Sequence, residues 1–276
     1  MKQTYYLTAL SVLCLVLSST TQAGESIIFA ENGQVGYKDT PKQPWSDFLV
    51  HDLDRPRPPK VEVNPAALNY APAPKNAIVL FDGTNLDSWK PTKWIINDQK
   101  NLQCVGGGIN TKQEFGDFQL HLEFRSPKDF KGPWGNTGNN GVIIFSNVEI
   151  QIFDNYTVDS YADGLCGAIY GQFPPLVNAC LPPGTWQTYD IFFRAPKYDE
   201  NKKMTESARV SILFNGQLVQ DNSIIYGGTR HGGLPTPFNG RKTGTIGFSG
   251  HGCPVEFRNV WVIPHETPAA PVCEGY

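Results

Sequence analysis

The chain has few charged residues, 18% of its 276 positions, and its charges nearly balance. Lys and Arg number 23 against 26 Asp and Glu, giving a formal net charge of -3, and no run of basic residues occurs. This composition argues against electrostatic binding to nucleic acid or to an anionic membrane. The sequence also lacks any long segment that combines a helical period with capping residues, which argues against a helical fold.

Cysteine pairs of the Cys-x-x-Cys type are absent as well, so a structural zinc site has little support. Five of the six cysteines follow residue 23, and an odd number leaves at least one thiol unpaired. We expect a disulfide between Cys166 and Cys180, which flank a loop rich in glycine and proline; the alternative is that all five are small buried residues. The sequence requires no cofactor, and it leaves open whether a divalent cation binds.

A single apolar stretch stands out at the N-terminus, over residues 7–17. Lys2 precedes it, and a segment of small and polar residues follows it and ends at Ala23. The stretch is too short to span a bilayer, which needs about 20 residues. The pattern predicts a signal peptide over residues 1–23, and therefore a periplasmic or secreted protein with no transmembrane segment in the mature chain. The oligomeric state is not determined by the sequence.

Glycine and proline are abundant, with 27 Gly and 22 Pro, and aromatic residues make up 12% of the chain. Residues 24–75 are rich in proline and polar residues, and their centre, residues 51–59, reads HDLDRPRPP. Because proline fixes φ and removes a donor, we expect an extended N-terminal arm, either a flexible spacer or a segment docked on the domain. Residues 76–265 are predicted to form the domain and residues 266–276 a C-terminal tail.

From residue 78 onward the pattern is typical of β-strands. Residues 118–125 and 148–152 alternate apolar and polar side chains, and Asn215-Gly216 marks a hairpin turn. Roughly eight to twelve antiparallel strands separated by Gly/Pro loops predict an all-β fold, a two-sheet jelly-roll sandwich. The alternation places five apolar side chains in the core between the sheets: Leu120, Leu122, Phe124, Ile150 and Ile152.

The polar positions of the same strands are candidates for a sugar site. Glu123 and Arg125 share one face of their strand, and Glu149 and Gln151 share one face of theirs. Carboxylates spaced in this way can hold a sugar or act as acid and base, although an ordinary solvated face gives the same pattern. Asp154 has the opposite parity to Glu149 and joins it only if a bulge intervenes.

His251 lies between two glycines in the segment that precedes the last predicted strand. Glycine allows a close approach of the backbone to a ligand, and an imidazole with an ordinary pKa of about 6.5 can accept a proton at neutral pH. His251 is therefore a candidate base; the alternative is an exposed turn residue.

Eight motifs, taken together and in order, resemble the 3-keto-disaccharide hydrolase domain family over residues 78–264. They lie at residues 80–89, 116–125, 139–142, 149–154, 167–171, 183–186, 250–252 and 255–260. The sequence departs from the family pattern at Asn140, where the family usually has Ser, and at residues 248–250, where Gln-Asp often precedes the His-Gly pair.

The resemblance implies a concanavalin A-like jelly roll that acts on glycosides oxidised at C3. A C3 ketone acidifies the C2 proton, so that a base can remove it and the glycosidic oxygen can leave from C1. From side-chain chemistry, we expect Glu149 or His251 to be the base, with Asp154 or Glu123 as the acid or a supporting carboxylate. The remaining expected contacts to a saccharide or oxidised saccharide are Arg125, Asn139, Gln151, Trp134, Tyr170 and Arg258.

Two other functions fit the sequence. Residues 149–154 resemble the catalytic strand of retaining, laminarinase-like glycosidases, although Gln151 stands where that strand has its middle carboxylate. A lectin-like module without catalysis would bind glycans through Trp134, Tyr170 and Trp186.

The first prediction concerns export. N-terminal sequencing of the protein from an extracytoplasmic fraction should begin at Gly24, because cleavage is expected after Ala23. Recovery of a membrane-embedded protein that retains Met1 would contradict it.

Overall fold

The computed structural model describes residues 27–265, apart from positions 32, 69, 71, 131 and 133–136. Several sequence predictions fall outside these residues and stay predictions: the signal peptide at 1–23, Trp134, Cys273 and the tail at 266–276.

The described secondary structure is almost entirely β. Two short 3-10 turns, Pro65–Ala67 and Ala162–Gly164, accompany the strands. Within the described part of the chain, no helix has the length and apolar character needed to cross a membrane. The residues that the structure describes form sixteen strands: β1 (Ile28–Phe29), β2 (Val35–Gly36), β3 (Ile78–Phe81), β4 (Ile95–Ile96), β5 (Leu102–Gln103), β6 (Ile109–Phe115), β7 (Asp117–Arg125), β8 (Asn140–Ile144), β9 (Val148–Ile152), β10 (Gln187–Arg194), β11 (Lys197–Tyr198), β12 (Met204–Glu206), β13 (Ala208–Phe214), β14 (Gln217–Ile225), β15 (Gly244–Gly250) and β16 (Glu256–His265).

Two antiparallel sheets form the body of the domain. The larger has the order β14-β13-β10-β7-β16-β5-β4, with β3 also paired to β16, and the smaller has the order β6-β15-β8-β9. One hydrophobic core cluster contains residues of both sheets, so the sheets face each other across it. The predicted all-β, two-sheet antiparallel sandwich is confirmed.

The predicted phase of the two alternating strands is confirmed. All five side chains assigned to the core have no exposed surface: Leu120, Leu122, Phe124, Ile150 and Ile152. The polar residues between them therefore lie on the outer faces of the two sheets, since successive strand residues point to opposite sides. Two separate outer faces follow, one on each sheet.

Of the two arrangements left open for the N-terminal arm, the structure has the docked one. Val50 and His51 have no exposed surface, and Tyr37 is 5% exposed. The Tyr37 N–H donates to the His51 carbonyl and the Leu53 N–H donates to the Tyr37 carbonyl, so the arm folds back on itself. The Trp45 indole stacks on Tyr226 of the domain with ring centroids 4.2 Å apart.

The predicted disulfide is wrong: Cys166 and Cys180 are both free, buried thiols. Each sulfur has a partner elsewhere in the core. The Cys166 Sγ lies 3.1 Å from the Tyr189 hydroxyl, and the Cys180 thiol donates to the Phe153 carbonyl at 3.8 Å.

Strand β6 is absent from the sequence prediction, and so are the short pairs β1-β2, β4-β5 and β11-β12. The β6 sequence, INTKQEF, has few apolar residues because the strand lies at an edge of the smaller sheet, with three consecutive exposed positions. A period-2 pattern can be recognised only where one face of the strand is buried, and strands of two or three residues are too short to show it.

The second prediction tests the core assignment. Leu122→Ala should lower the free energy of unfolding by about 2–5 kcal/mol, because it leaves a cavity between the sheets. The matched control is Val79→Ala on β3, where the side chain is 43% exposed and the loss should stay below about 1 kcal/mol. Urea denaturation measures both; equal losses would show that the face assignment is inverted.

Candidate active site

A cavity of about 310 Å³ lies on the outer face of the smaller sheet. Strand β9 and the segments next to β8 and β15 form its floor, and three other segments form its walls: the N-terminal arm, the long connection between β9 and β10, and residues 229–231. The described residues that line it are Tyr37, Asn139, Glu149, Gln151, Phe153, Ser160, Tyr161, Tyr170, Thr229, His231 and His251.

Glu149 is the one carboxylate among the described lining residues. Its side chain lies across Gly141 of the neighbouring strand β8, where a Cβ atom would collide with the carboxylate. Beyond Gly141, the Ser249 hydroxyl of β15 donates to Glu149 Oε1 at 3.1 Å. Burial raises the pKa of Glu149 to about 7, and the Ser249 hydrogen bond only partly opposes this shift. The carboxyl group therefore changes charge near neutral pH.

Two tyrosines, Tyr161 and Tyr170, line the wall of the same cavity as Glu149. The Tyr170 N–H donates to the Glu149 carbonyl at 3.0 Å, so this residue extends the edge of strand β9. The hydroxyl groups of Tyr161 and Tyr170 are hydrogen-bonded to each other. Burial raises the pKa of both phenols well above the usual value, so both hydroxyls keep their protons at neutral pH. The pair can donate a hydrogen bond to an oxygen in the cavity.

A histidine connects this pair to the N-terminal arm. His231 Nδ1 lies 2.9 Å from the Tyr170 hydroxyl, and His231 Nε2 lies 3.2 Å from the Tyr37 hydroxyl. Four side chains thus form one hydrogen-bonded chain along the wall: Tyr161, Tyr170, His231 and Tyr37. Tyr161 and Tyr170 are both more than nine-tenths buried.

His251 lies at the mouth of the cavity, in the segment between β15 and β16. The side chain is exposed, but the protein that surrounds its ring lowers its pKa by desolvation. The imidazole is therefore neutral at pH 7 and can accept a proton. The structure places His251 and Glu149 on the same cavity.

Gln151 and Asn139 are also brought to this cavity. Gln151 is 5% exposed, and its Oε1 has no hydrogen-bond partner within the described residues. A buried amide oxygen without a partner is costly in the absence of a ligand, so Gln151 is suited to accept a hydrogen bond from a sugar hydroxyl.

The structure does not bring Asp154 to this cavity, and its expected role as an acid or a supporting carboxylate stays a prediction. Its carboxylate accepts hydrogen bonds from the backbone N–H groups of Tyr156 and Thr157, each at 3.3 Å, and from the Thr157 hydroxyl. It lines a different depression, next to Lys128 and Thr137. The bulge that would have turned it towards Glu149 is not formed, and the carboxylate holds a turn instead.

Glu123, Arg125 and Arg258 are likewise not part of the cavity, because they lie on the outer face of the larger sheet. Arg258 Nε donates to Glu123 Oε2 at 2.6 Å, and Arg125 pairs with Glu256. Trp186 lies beneath both guanidinium groups, with the Arg258 carbon 4.1 Å and the Arg125 carbon 4.7 Å from the ring centre. The core of the sandwich separates this cluster from Glu149.

Sequence reasoning missed several lining residues: Tyr37, Phe153, Ser160, Tyr161, Thr229 and His231. His231 could have been found, since it precedes Gly232-Gly233 much as His251 lies between glycines. Tyr37 and Tyr161 carry no such signal, because their place depends on the docking of the arm. For a metal, no group of three or more His, Cys, Asp and Glu side chains in the described part of the chain is arranged to hold an ion.

Comparison with known proteins agrees with the fold. Residues 76–263 match the model of the 3-keto-alpha-glucoside-1,2-lyase-like domain. The chain belongs to this family. The resemblance expected from the sequence is thereby confirmed.

Solved structures similar to this lyase-like chain include two proteins from Parabacteroides distasonis ATCC 8503, each described as a candidate glycosyl hydrolase. The first is 35% identical, with a TM-score of 0.66, over 70% of this chain and 86% of its own. The second is 24% identical, with a TM-score of 0.51, over 68% of this chain and 99% of its own. The comparison with curated proteins gives no match. The family is a carbohydrate-active, glycosyl hydrolase-like one.

The third prediction concerns the charge of Glu149 in this lyase-like domain. An unfolded carboxyl with a pKa of 4.5 has lost its proton at pH 6, whereas folded Glu149, with a pKa of about 7, still keeps it. The protonated carboxyl therefore contributes fully to the free energy of unfolding below pH 4.5, and this contribution is lost as the pH rises through 7. The loss is about 3 kcal/mol. Glu149→Gln should therefore be more stable than the parent at pH 8 and equally stable at pH 4.5. Urea denaturation at both pH values measures this; an identical pH dependence in the two proteins would contradict the assignment.

Proposed function

We propose that the protein cleaves glycosides oxidised at C3, with Glu149 as the general base. The observation that carries this proposal is a single cavity lined by a carboxyl group with a pKa of about 7 and by two tyrosines whose hydroxyls keep their protons. A base poised near the working pH and neutral donors for an oxyanion are what proton abstraction beside a ketone requires. The family match, to a 3-keto-alpha-glucoside-1,2-lyase-like domain, supports the same chemistry.

In the proposed reaction, ionised Glu149 removes the C2 proton of the oxidised sugar. The electron pair of the C2–H bond moves towards C3, and the ketone oxygen becomes an enolate oxygen. The pair then forms the C1=C2 double bond while the C1–O bond breaks, and the departing oxygen takes a proton. The products are an alcohol and an unsaturated keto sugar, and addition of water across C1=C2 would give the free 3-keto sugar.

The tyrosine pair is proposed to bind the C3 oxygen. One of the two hydroxyl protons lies in the hydrogen bond between Tyr161 and Tyr170. With His231 Nδ1 donating to Tyr170, the pair can donate its other proton to the enolate, more strongly than to the ketone. Gln151, with its buried amide oxygen, is proposed to accept a hydrogen bond from a sugar hydroxyl and so hold the ring. His251, neutral at the cavity mouth, is placed to donate a ring N–H to the leaving oxygen, or to act as the base in place of Glu149.

A retaining, laminarinase-like mechanism has less support. It needs two carboxyl groups about 5–5.5 Å apart. The described lining of the cavity contains one, and Asp154 is engaged in a turn outside it. The proposal also includes an extracytoplasmic location, because residues 1–23 have the pattern of a signal peptide.

The fourth prediction tests the base. Wild-type protein should convert a 3-keto disaccharide and leave the matching native disaccharide unchanged, with products resolved by mass. Glu149→Gln should lower kcat by about 10²–10⁴-fold, since an amide cannot take the C2 proton. The matched control is Glu114→Gln on the edge strand β6, where the carboxylate accepts from Thr243 and is exposed; its activity should equal that of the wild type.

The pH profile gives a second readout. For wild type, kcat/KM should rise with pH and level off above about 7, because only ionised Glu149 acts as a base. If His251 is the base instead, His251→Ala loses the turnover and Glu149→Gln keeps it. Cleavage of the native disaccharide would favour a glycosidase. Binding of a saccharide without turnover would favour a lectin-like module. Either result would contradict the proposal.

A further inference from the structure

The N-terminal arm lies outside the matched family domain, which begins at residue 76, yet it reaches the candidate active site. Tyr37 of the arm lines the cavity directly. The backbone there is tightly packed: Gly36 lies so close to the Leu53 backbone that a Cβ atom would meet it. A segment that merely linked the domain to an export signal would not need this fit. The position of Tyr37 therefore calls for a function.

A buried carboxylate anchors the arm beside the two donor tyrosines. Asp163 has no exposed surface and lies two residues after Tyr161. It accepts hydrogen bonds from the His51 N–H and from His51 Nδ1, both at 3.1 Å, and from Gln43 Nε2 at 3.2 Å. All of these donors belong to the arm. The segment that carries Tyr161 is thus held by the arm.

The His51 ring also packs directly on the tyrosines. Its centroid is 4.0 Å from that of Tyr161 and 4.7 Å from that of Tyr170. His51 has a left-handed backbone, with φ of 57°, which holds its ring towards Asp163. The orientation of both donor rings therefore depends on a residue of the arm.

The second connection is polar and runs along the cavity wall. Tyr37 bonds to one ring nitrogen of His231 and Tyr170 to the other. In a neutral imidazole one nitrogen donates and the other accepts. Whichever role Nε2 takes towards Tyr37, Nδ1 takes the opposite role towards Tyr170. Through His231, the arm thereby influences whether the Tyr170 hydroxyl donates or accepts its hydrogen bond with Nδ1.

We propose that the N-terminal arm is a working part of this active site, in which His51 and Tyr37 are positioning residues for the donor pair Tyr161–Tyr170. His51 fixes the place of the two rings through Asp163, and Tyr37 fixes the direction of their hydrogen bonds through His231. This inference rests on the proposed function, in which the pair donates to the C3 oxygen. Misplacement of such donors by a fraction of an ångström lowers kcat more than it raises KM.

The first experiment compares two substitutions of His51. His51→Ala removes the ring and its bond to Asp163, and kcat on the 3-keto disaccharide should fall at least about tenfold. His51→Asn should restore most of this loss, because an Asn amide can donate to Asp163 and Asn tolerates a left-handed backbone. Equal activity of His51→Ala and wild type would overturn the proposal. The proposal would also be overturned if His51→Ala and His51→Asn both folded and lost the same fraction of kcat, because the hydrogen bond to Asp163 would then have no effect on activity.

Tyr37→Phe keeps the ring in the wall and removes only the hydroxyl, so it remains informative if the His51 variants do not fold. We expect kcat to fall about tenfold with KM within about twofold of wild type. The matched control is Tyr226→Phe, whose ring packs on Trp45 at the same arm-domain contact but is not among the cavity residues. It should behave as wild type. An unchanged kcat for Tyr37→Phe would overturn the role of Tyr37.

Nuclear magnetic resonance separates this inference from the proposed function. The chain has five histidines, so the ¹⁵N spectrum of the imidazoles is simple, and His231→Gln assigns the His231 signals. At a pH high enough to keep imidazoles neutral, His231 should be a single tautomer in wild type and a mixture of tautomers in Tyr37→Phe. This result is expected even if the wild-type protein turns over no 3-keto sugar, in which case the proposed function alone fails. A single unchanged tautomer in Tyr37→Phe would overturn the positioning role.

Discussion

The cavity depends on the burial of one charged group, the Asp163 carboxylate. A carboxylate without exposed surface is costly unless it is paired and hydrogen-bonded. Burial alone would raise the pKa of Asp163, but the contacts of His51 and the charge of Arg55 lower it below the usual value. Both partners come from the N-terminal arm. The arm, the β9–β10 connection and the floor of the cavity are therefore held together as one unit, and the connection would have an uncompensated charge without the arm.

The two carboxyl groups at this site, the buried Asp163 and the half-buried Glu149, differ in what surrounds them. Asp163 faces a histidine, a glutamine and an arginine, whereas Glu149 faces a serine hydroxyl in a cavity wide enough for a ligand. Desolvation acts on both, but only Asp163 has cationic or multiple donor partners to offset it. Asp163 thus remains ionised and structural, and Glu149 titrates near neutrality. Gly141 is essential to this difference, because any side chain there would displace the Glu149 carboxylate from its place.

The sandwich and the phase of its main strands could be predicted because they depend on local alternation. Residues 118–125 and 148–152 each have one apolar and one polar face, and burial follows that pattern. The cavity walls could not be predicted in the same way. The contact between His51 and Asp163 joins residues 112 positions apart, and the contact between Tyr37 and His231 joins residues 194 apart. No periodicity connects such residues, and the proline-rich arm has no buried strand face by which its docking could be recognised.

Glu123 and Glu149 show what the alternation along a strand does and does not determine. The alternation predicts that Glu123 and Glu149 each lie on an outer face of a sheet. It does not show that the two faces are on opposite sides of the sandwich, because that depends on which sheet each strand joins. Glu123 is bound by Arg258 and by the Asn259 amide at 2.8 Å, so its charge is compensated within the protein. Glu149 has no cation among its hydrogen-bond partners in the described residues, and its carboxyl group therefore titrates near neutral pH, as the proposed role of a base requires. A reactive carboxyl group is distinguished from a structural one by the charge of its neighbours, and in this fold those neighbours come from other strands and from the arm.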